Sequence, residues 1–427
     1  MTDAPKTNLR GIVLDVLLLS EEKGFTDRVI SETLDNHNYL SKQDRSFIKY
    51  LSEGTIERKI LLDHIIDHYS KIKVRKLKKL ILEVLRMSVF QLYFMDSVPD
   101  SAVVNEAVKL VKRRHMAGLS GYVNGVLRSV VKEPYDISLI TDLHIKYSCP
   151  EWITDIFTER FGKDTTETML KHFTGARTLY ARTNTDKIKR EELIKLLDEE
   201  GIESKEADTS EAALILNGVD SINRIKAFRE GMFSVQDISS IRSVEALDIR
   251  PGTDVLDVCS APGGKACYAA EILKGSGSVT ACDISEFKTS LIEENTERLG
   301  LNNITVQVKD ATECEPEFKE KFDYVIADLP CSGLGVIGRK NDIKYRVRPE
   351  DITALATLQK TILNNAVTYL KAGGKLIFST CTLTKEETVE QSVYIENELK
   401  LKKLEEKTFI PGESDCDGFY YAVFIRS

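Results

Sequence analysis

Hydrophobic residues in the first third of the chain recur at steps of three and four residues. Two of the clearest runs are LRGIVLDVLLL and LKKLILEVLRMSVFQLYFM. Because about 3.6 residues complete one turn of an α-helix, this spacing places the apolar side chains on one face. The pattern predicts helices from residue 5 to about 133 and again over 138–175.

The pattern becomes mixed between Leu179 and about Met232. LYARTN and AALILNG have the short apolar runs of strands, and KREELIKLLDEEG between them has the spacing of an amphipathic helix. This stretch predicts a small α+β domain.

Beyond residue 250 short β-rich runs alternate with helical segments. The strand candidates are DVLDVCS, SVTACDIS, NITVQVKD, FDYVIADLP and KLIFSTCTL, and GFYYAVFIR follows as a late strand that could run antiparallel. Such alternation predicts a mostly parallel, doubly wound α/β sheet, whose ligands bind beyond the carboxyl ends of the strands. We therefore expect three domains: a helical domain over 1–135, a helical linker and small α+β domain over 136–231, and an α/β domain over 232–427.

The composition fits a globular protein of several domains in a reducing compartment. Of the 427 residues, 42% are hydrophobic and 30% are charged, which excludes a disordered or fibrous protein. No apolar run approaches the ~20 residues of a membrane helix, and the N-terminus lacks the layout of a signal peptide. The eight cysteines include no CxxC pair, so no disulfide or zinc framework is expected. We expect a cytoplasmic monomer that binds neither a metal ion nor a membrane.

Charged and reactive residues are distributed unevenly. The first 135 residues carry an excess of lysine and arginine, whereas the remainder is acidic. The densest basic cluster consists of Lys71, Lys73, Arg75, Lys76, Lys78 and Lys79. We expect this cluster to contact phosphates, although a solvated helix face is the commoner role of such a run. Because all six histidines lie in the first 172 residues and seven of the eight cysteines lie beyond residue 250, the chemistry of the second half is predicted to use cysteine.

Acidic side chains follow the first three strands of the α/β domain. The first strand leads through Asp257 into a loop made of Cys259, Ser260, Ala261, Pro262, Gly263, Gly264 and Lys265. This loop has neither the dinucleotide nor the P-loop glycine pattern. The second strand ends at Asp283, where an acid accepts hydrogen bonds from ribose hydroxyls, and the third ends at Asp310, placed to meet an adenine edge. A single acid at such a position is as often a helix cap as a ligand of a cofactor. Three acids at successive strand ends predict a nucleoside cofactor without a pyrophosphate, such as S-adenosylmethionine.

Two cysteines lie just beyond the fourth and fifth strands. Cys331 lies in DLPCSG and Cys381 in STCTL, and because these strands are predicted neighbours, both thiols should face one pocket. Cys267 and Cys282 lie inside a helix and a strand and are predicted to be core residues.

A thiol is useful to a methyltransferase when the acceptor atom is not itself nucleophilic, as with C5 of a pyrimidine. A thiolate that adds to C6 turns C5 into an enamine-like carbon that accepts a methyl group. An acid near N3 assists the addition, and a base removes the C5 proton so that the thiol is eliminated. Cys381, Asp328 and Cys331 supply a nucleophile, an acid and a group for release.

Several segments together identify a family. They are CSAPGGK (259–265), DLPCSG (328–333) and STCTLTKEE (379–387) in the α/β domain, with DRSFIKYLSEGTIERK and GYVNGVLRS near the front. In these segments the sequence resembles the RNA cytosine-5 methyltransferases, specifically the ribosomal RNA small subunit methyltransferase B (Sun/Fmu) family with its NusB-like N-terminal domain. The resemblance covers nearly the whole chain and is weakest over 140–225.

The resemblance implies an all-α NusB-like RNA-binding domain, a small α+β domain and a Rossmann-like, S-adenosylmethionine-dependent methyltransferase domain. It implies methylation of C5 of a cytosine in small-subunit (16S) ribosomal RNA. Residues 259–265 with Asp283, Asp310 and Asp328 would contact the cofactor or the base. Cys381 would be the nucleophile, and Cys331 would assist release of the product. A basic set after DLPCSG is expected to hold the RNA near the pocket, namely Arg339, Lys340, Lys344, Arg346 and Arg348.

Two other interpretations stay open. The same chemistry could act on transfer RNA or on DNA, although the DNA enzymes use the Pro-Cys thiol, here Cys331, as the nucleophile. The chain could instead be a NusB-like RNA-binding or assembly factor with an inert methyltransferase domain. The intact strand-end acids and both thiols favour an active enzyme of the RNA type.

Overall fold

The computed structural model describes residues 8–219 and 221–427, which form two compact units. One unit comprises the described residues up to Thr174 together with Arg339–Arg346, and the other comprises those of Gly175–Gly338 together with Val347–Ser427. Residues 5–7 of the predicted helical run lie outside the described residues. The three domain bounds expected from the sequence stay a prediction.

The N-terminal unit is helical, as the apolar spacing predicts. Its helices are α1 Leu9–Lys23, α2 Thr26–Asn36, α3 Lys42–Glu57, α4 Lys59–Tyr69, α5 Lys79–Phe94, α6 Asp100–Arg113, α7 Ser120–Lys132, α8 Leu143–Lys146, α9 Glu151–Phe161 and α10 Lys163–Phe173. Leu14, Leu62 and Leu85 from three of these helices are fully buried in one core. Ser41 caps α3, because its side chain accepts a hydrogen bond from the backbone N–H of Asp44 at 3.1 Å.

The second unit begins with β1 Leu179–Thr183, α11 Arg190–Glu199, β2 Glu203–Glu206, β3 Ala213–Asn217, α12 Lys226–Arg229, β4 Phe233–Val235 and α13 Ile238–Glu245. The four strands form a small antiparallel sheet in the order β2-β3-β1-β4. The two strands and the helix expected in this stretch are β1, β3 and α11. The short strands β2 and β4 add one partner at each edge.

The elements that follow along the chain are β5 Thr253–Asp257, α14 Gly264–Leu273, β6 Gly277–Asp283, α15 Glu286–Leu299, β7 Ile304–Val308, β8 Phe322–Asp328, α16 Ile343–Arg346, α17 Pro349–Thr368, β9 Leu370–Thr380, α18 Val389–Asn397, β10 Lys402–Phe409 and β11 Phe419–Ile425. All of them except α16 belong to the second unit, whose larger sheet has seven strands in the order β10-β11-β9-β8-β5-β6-β7. Strands β5 to β9 pair in parallel, and β11 pairs antiparallel with β9, so the predicted α/β fold is confirmed.

The order of the parallel strands brings the predicted site residues to one edge. The chain passes from β5 outward to β7 and then returns to β8 on the other side of β5. The neighbours β8 and β9 are in register at Asp328 and Ser379. Apolar side chains pack in two clusters that include alternate residues of the same strands, such as Val255 and Leu256. The carboxyl ends of β5, β6, β8 and β9 therefore present their polar residues on a rigid frame.

The segment Arg339–Arg346, which contains α16, belongs to the helical unit. Lys344 is only 2% exposed, and its ammonium group donates a hydrogen bond to the carbonyl of Glu57 at 2.8 Å. The guanidinium of Arg346 pairs with Asp342 at 2.9 Å and lies over the ring of Phe25. The expectation that Lys344 contacts RNA is therefore wrong, because its charge is buried at the end of α3. For Arg339, Lys340, Arg346 and Arg348 the expectation stays a prediction.

Among the described residues, no helix combines the length and the apolar character that crossing a membrane requires.

Candidate active site

The loop between β5 and α14 holds its backbone in a tight turn. Gly263 has a φ of +97° and precedes the first residue of α14. Its N–H donates to the carbonyl of Ser260 at 2.6 Å. A Cβ at position 263 would lie 3.1 Å from the side chain of Ile292, and a residue that carries a Cβ would be strained at this φ. A glycine is required here because the loop passes close to α15.

Asp257 lies beneath this loop and is 1% exposed. Burial, and next the negative charge of Asp328, raise the pKa of Asp257 to about 7. Among the described residues, its Oδ1 atom and the Oγ atom of Ser260 are buried without a hydrogen-bond partner. Two unsatisfied polar oxygens at the carboxyl end of a central strand indicate a place for a ligand that donates hydrogen bonds or carries positive charge.

Asp283 anchors the same loop from the end of β6. Its carboxylate accepts a hydrogen bond from the N–H of Ala261 at 2.9 Å and pairs with Lys288 at 3.0 Å. Asp310 lies beyond β7, where Thr312 donates to it through its backbone N–H and its hydroxyl. These hydrogen bonds lower the pKa of Asp310 and keep its carboxyl group ionised.

Two apolar side chains lie beside these acids with much of their surface exposed. Ile284, next to Asp283, is 57% exposed, and Val308, paired with Asp283 in the sheet, is 48% exposed. An exposed apolar surface next to a strand-end carboxylate suits a flat purine with ribose hydroxyls near it. Together with the unpartnered oxygens of Asp257 and Ser260, this arrangement fits S-adenosylmethionine, which carries a nucleoside and a positive charge.

Asp328 at the end of β8 connects the loop to the neighbouring strand. Its Oδ2 atom accepts a hydrogen bond from the ammonium group of Lys265 at 2.6 Å, and its Oδ1 atom accepts one from the hydroxyl of Ser379 at 2.7 Å. The Lys265 side chain is nearly buried and that of Asp328 is one-third exposed, so this ion pair is partly shielded from solvent. The two contacts fix the orientation of the Asp328 carboxyl group between the loop and β9.

The sulfur atoms of Cys331 and Cys381 lie 3.4 Å apart. The hydrogen bond to Cys381, and next burial, raise the pKa of Cys331 well above the usual range for a thiol. Either sulfur can be the donor of this contact, and burial disfavours a thiolate at Cys331. Both thiols are free cysteines of intermediate exposure.

The structure brings together the residues singled out in the sequence. Asp328 lies beside Lys265 of the loop, Asp283 holds Ala261, and the two thiols are adjacent. Asp310 lies at the next strand end along the sheet, after β7. Cys267 and Cys282 are 1% and 3% exposed, so the prediction that they are core residues is confirmed.

Two polar residues of this site were not expected from the sequence. Ser379, the donor to Asp328, and Glu387, which is fully buried beside the thiol segments, both lie in STCTLTKEE. The motif contained them, but a glutamate that follows a lysine and a glutamate has the pattern of a solvated surface. Its burial becomes visible only when the loop folds back against DLPCSG.

Three family models match consecutive parts of the chain. "16S rRNA methyltransferase RsmB/F" matches residues 244–425, "NusB family" matches 7–132, and "Methyltr_RsmF/B-like, ferredoxin-like domain" matches 149–223.

Three relatives match this chain over most of its length. The "Probable ribosomal RNA small subunit methyltransferase B" of Bacillus subtilis (strain 168) is 36% identical over 392 residues, which cover 90% of this chain and 87% of the relative. The protein of the same name from Synechocystis sp. is 32% identical over 382 residues, or 87% and 85% of the two chains. The "Ribosomal RNA small subunit methyltransferase B" of Vibrio vulnificus is 28% identical and covers 98% of this chain and 99% of its own length.

Solved structures share the fold. The crystal structure of PH0851 superimposes with a TM-score of 0.82 over 99% of both chains at 24% identity. The structure of NSun6 from Pyrococcus horikoshii with SFG gives a TM-score of 0.59 over 65% of this chain and 98% of its own, at 21% identity.

Proposed function

The chain belongs to the ribosomal RNA small subunit methyltransferase B family, and from this premise we propose that it methylates C5 of a cytosine in small-subunit (16S) ribosomal RNA. It is an S-adenosylmethionine-dependent methyltransferase, with the NusB-type helical unit that the sequence led us to expect. The observation that carries the choice of C5 is the pair of thiols, 3.4 Å apart, just beyond the ends of β8 and β9. A methyltransferase that modifies an amine or a hydroxyl needs no thiol. We further propose that the enzyme works in the cytoplasm, where ribosomes are assembled.

The cofactor is held by residues 259–265 together with Asp283, Asp310 and Asp328. When bound, S-adenosylmethionine supplies an electrophilic methyl group. The protein's residues must then make C5 of the base nucleophilic. The target base has to leave its stack to reach a thiol at a strand end.

Cys381 adds to C6 of the cytosine, so a sulfur–carbon bond forms and the C5–C6 π electrons become available at C5. The proton that the Cys381 thiol loses is taken up at N3 of the cytosine, which neutralises the charge the addition creates, and Asp328, oriented by Lys265 and Ser379, accepts a hydrogen bond from that N3–H. This assignment gives Cys381 the thiolate, as the family resemblance implies, and leaves the proton on Cys331, whose pKa is raised.

Release requires that the C5 proton leave to a base, which can be a water molecule, while the C6–sulfur bond breaks. The electron pair of that bond returns to Cys381, and the thiol of Cys331 stabilises the departing sulfur by donating its hydrogen bond. Cys331 thus acts in the second half of the reaction, after the methyl group has been transferred.

This division of roles is tested by trapping the covalent adduct. Cys331→Ala, incubated with ribosomal RNA and S-adenosylmethionine, is expected to accumulate a protein–RNA complex that survives denaturing electrophoresis. Cys381→Ala should form no complex and no methylated product. Cys314→Ala, which removes an exposed cysteine outside the site, is the matched control and should behave as the unsubstituted enzyme. An adduct in Cys381→Ala and none in Cys331→Ala would reverse the two roles.

A further inference from the structure

Glu387 is a buried carboxylate that the methylation chemistry described above does not use. It is 0% exposed. Its Oε1 atom accepts a hydrogen bond from the backbone N–H of Ser332 at 2.7 Å. Its Oε2 atom accepts bonds from the hydroxyls of Ser332 at 2.6 Å, Thr384 at 2.7 Å and Thr382 at 3.3 Å. These partners are amide and hydroxyl donors rather than cations, so directed hydrogen bonds hold the carboxylate.

These donors come from the two segments that carry the thiols. Ser332 follows Cys331 directly, and Thr382 follows Cys381 directly. The hydroxyls of Ser332 and Thr382 also lie 2.7 Å apart. The Glu387 carboxylate therefore accepts hydrogen bonds from the residue that follows each of the two cysteines. The backbone N–H of Gly335 also donates a hydrogen bond to the carbonyl of Cys381 at 3.0 Å.

Burial of Glu387 has an energetic cost that a surface glutamate avoids. Burial raises the pKa of Glu387, and the hydrogen bonds from Ser332 and the threonines oppose that rise. A buried carboxylate persists where its hydrogen bonds are all made, and such a network fixes one arrangement of the groups around it. Here the fixed arrangement is the separation of the two sulfur atoms.

We propose that Glu387 is a positioning residue that holds Cys331 and Cys381 in register by joining Ser332 to Thr382 and Thr384. The effect of this positioning on catalysis rests on the proposed function. The geometric part stands by itself, because the separation of the sulfurs can be measured without RNA. Without the carboxylate, the ends of β8 and β9 stay paired, but the two loops after them lose their common anchor.

The test compares the rate at which diamide, a thiol oxidant, joins Cys331 to Cys381 as a disulfide in the full chain, followed by mass spectrometry. Two thiols lose their protons and two electrons, and the diamide is reduced. Glu387→Ala is expected to slow the reaction about 10-fold or more. Glu387→Gln should stay within about 3-fold of the unsubstituted protein, because its amide can still accept from the Ser332 N–H and can donate to the two nearer hydroxyls. Glu390→Gln, at an exposed position on α18, is the control and should leave the rate unchanged.

The methylation assay then separates the positioning role from general damage. Glu387→Ala should lower kcat about 100-fold with an unchanged KM for S-adenosylmethionine, and Glu387→Gln should recover most of the loss. If Glu387→Ala fails to fold by circular dichroism, Ser332→Ala replaces it and should slow disulfide formation several-fold.

A folded Glu387→Ala, or Ser332→Ala in its place, that forms the disulfide at the unsubstituted rate overturns the proposal. If the variants show the expected disulfide rates while the unsubstituted enzyme methylates no RNA, that result would support the positioning role of Glu387 and contradict the proposed function.

Discussion

Asp257, beneath the cofactor loop, has a carboxyl group whose charge depends strongly on its surroundings. It is buried at the end of β5 near Asp328, and its pKa is raised to about 7. The folded protein therefore keeps a proton on Asp257 at a pH where the unfolded chain, with an ordinary carboxyl group, has lost it. Between about pH 4 and pH 7 the folded state binds more protons than the unfolded state, so stability from this residue falls as the pH rises.

We predict that Asp257→Asn removes this dependence. The free energy of unfolding of the unsubstituted protein should decline relative to that of the variant by about 1.4 kcal/mol per pH unit in this window, or on the order of 4 kcal/mol in all. Urea unfolding at a series of pH values from 4 to 8 measures the difference. Asp208→Asn, at an exposed position, is the control. Parallel curves for the unsubstituted protein and Asp257→Asn would show that Asp257 does not take up a proton on folding.

At the scale of elements, the strands and helices with apolar spacing were predictable and those built from charged residues were not. β8 and β9 were expected as neighbours with a thiol after each, and they pair in parallel. β10, with the sequence KKLEEKTF, was not expected, because lysine and glutamate dominate it. It forms the outer edge of the larger sheet, where charged side chains face solvent and discourage pairing with another chain.

The site was predictable for a different reason. Strand-end acids, glycines and thiols identify chemistry by residue type, and parallel pairing brings them together. The burial of Glu387 and of Lys344 could not be predicted from the sequence, because burial of a charged residue depends on partners distant in sequence. Glu387 finds its partner Ser332 in another segment, and Lys344 finds the carbonyl of Glu57.

The contact of strand β1 with helix α14 yields a prediction at this scale. Arg182 on β1 and Glu271 on α14 are both 0% exposed in their side chains and pair at 2.7 Å. Removal of one partner leaves a buried charge, so Glu271→Leu should lower the free energy of unfolding by about 3–5 kcal/mol. The double variant Arg182→Met with Glu271→Leu should lose less than Glu271→Leu alone, because neither charge remains buried. Urea denaturation of the two single variants and the double variant checks this. Additive losses would contradict the account.

At the scale of the whole molecule, the helical unit carries the basic cluster of residues 71–79. The six basic side chains of this cluster, Lys71, Lys73, Arg75, Lys76, Lys78 and Lys79, are all exposed. Asp67 and Glu21 lie near two of them, at 3.5 Å from Lys73 and 3.9 Å from Lys79. Exposed ion pairs of this kind contribute little to stability, and a phosphate group can readily replace the carboxylate as the partner of the lysine. The cluster is therefore available for sequence-independent contact with the RNA backbone.

Reversal of charge at Arg75, Lys76 and Lys79 should weaken RNA binding and reduce its dependence on salt. If each residue contacts one phosphate, the slope of log K against log salt should decrease in magnitude by about 2. Filter binding at several salt concentrations measures the slope. Reversal of three exposed lysines on and beside β10, Lys400, Lys402 and Lys407, is the matched control. An unchanged slope in the first variant would mean that this cluster is only a solvated surface.

The most direct test of the central claim identifies the product. Small-subunit ribosomal RNA from a strain that lacks this protein is incubated with the purified enzyme and isotopically labelled S-adenosylmethionine, and its nucleosides are analysed by mass spectrometry. The C5 mechanism predicts labelled 5-methylcytidine at one position, and none with Cys381→Ala. Label on another atom or another base would contradict the C5 mechanism. No label, in an enzyme shown to bind the cofactor, would contradict free ribosomal RNA as the substrate and direct the assay to transfer RNA or to a partly assembled ribosomal particle.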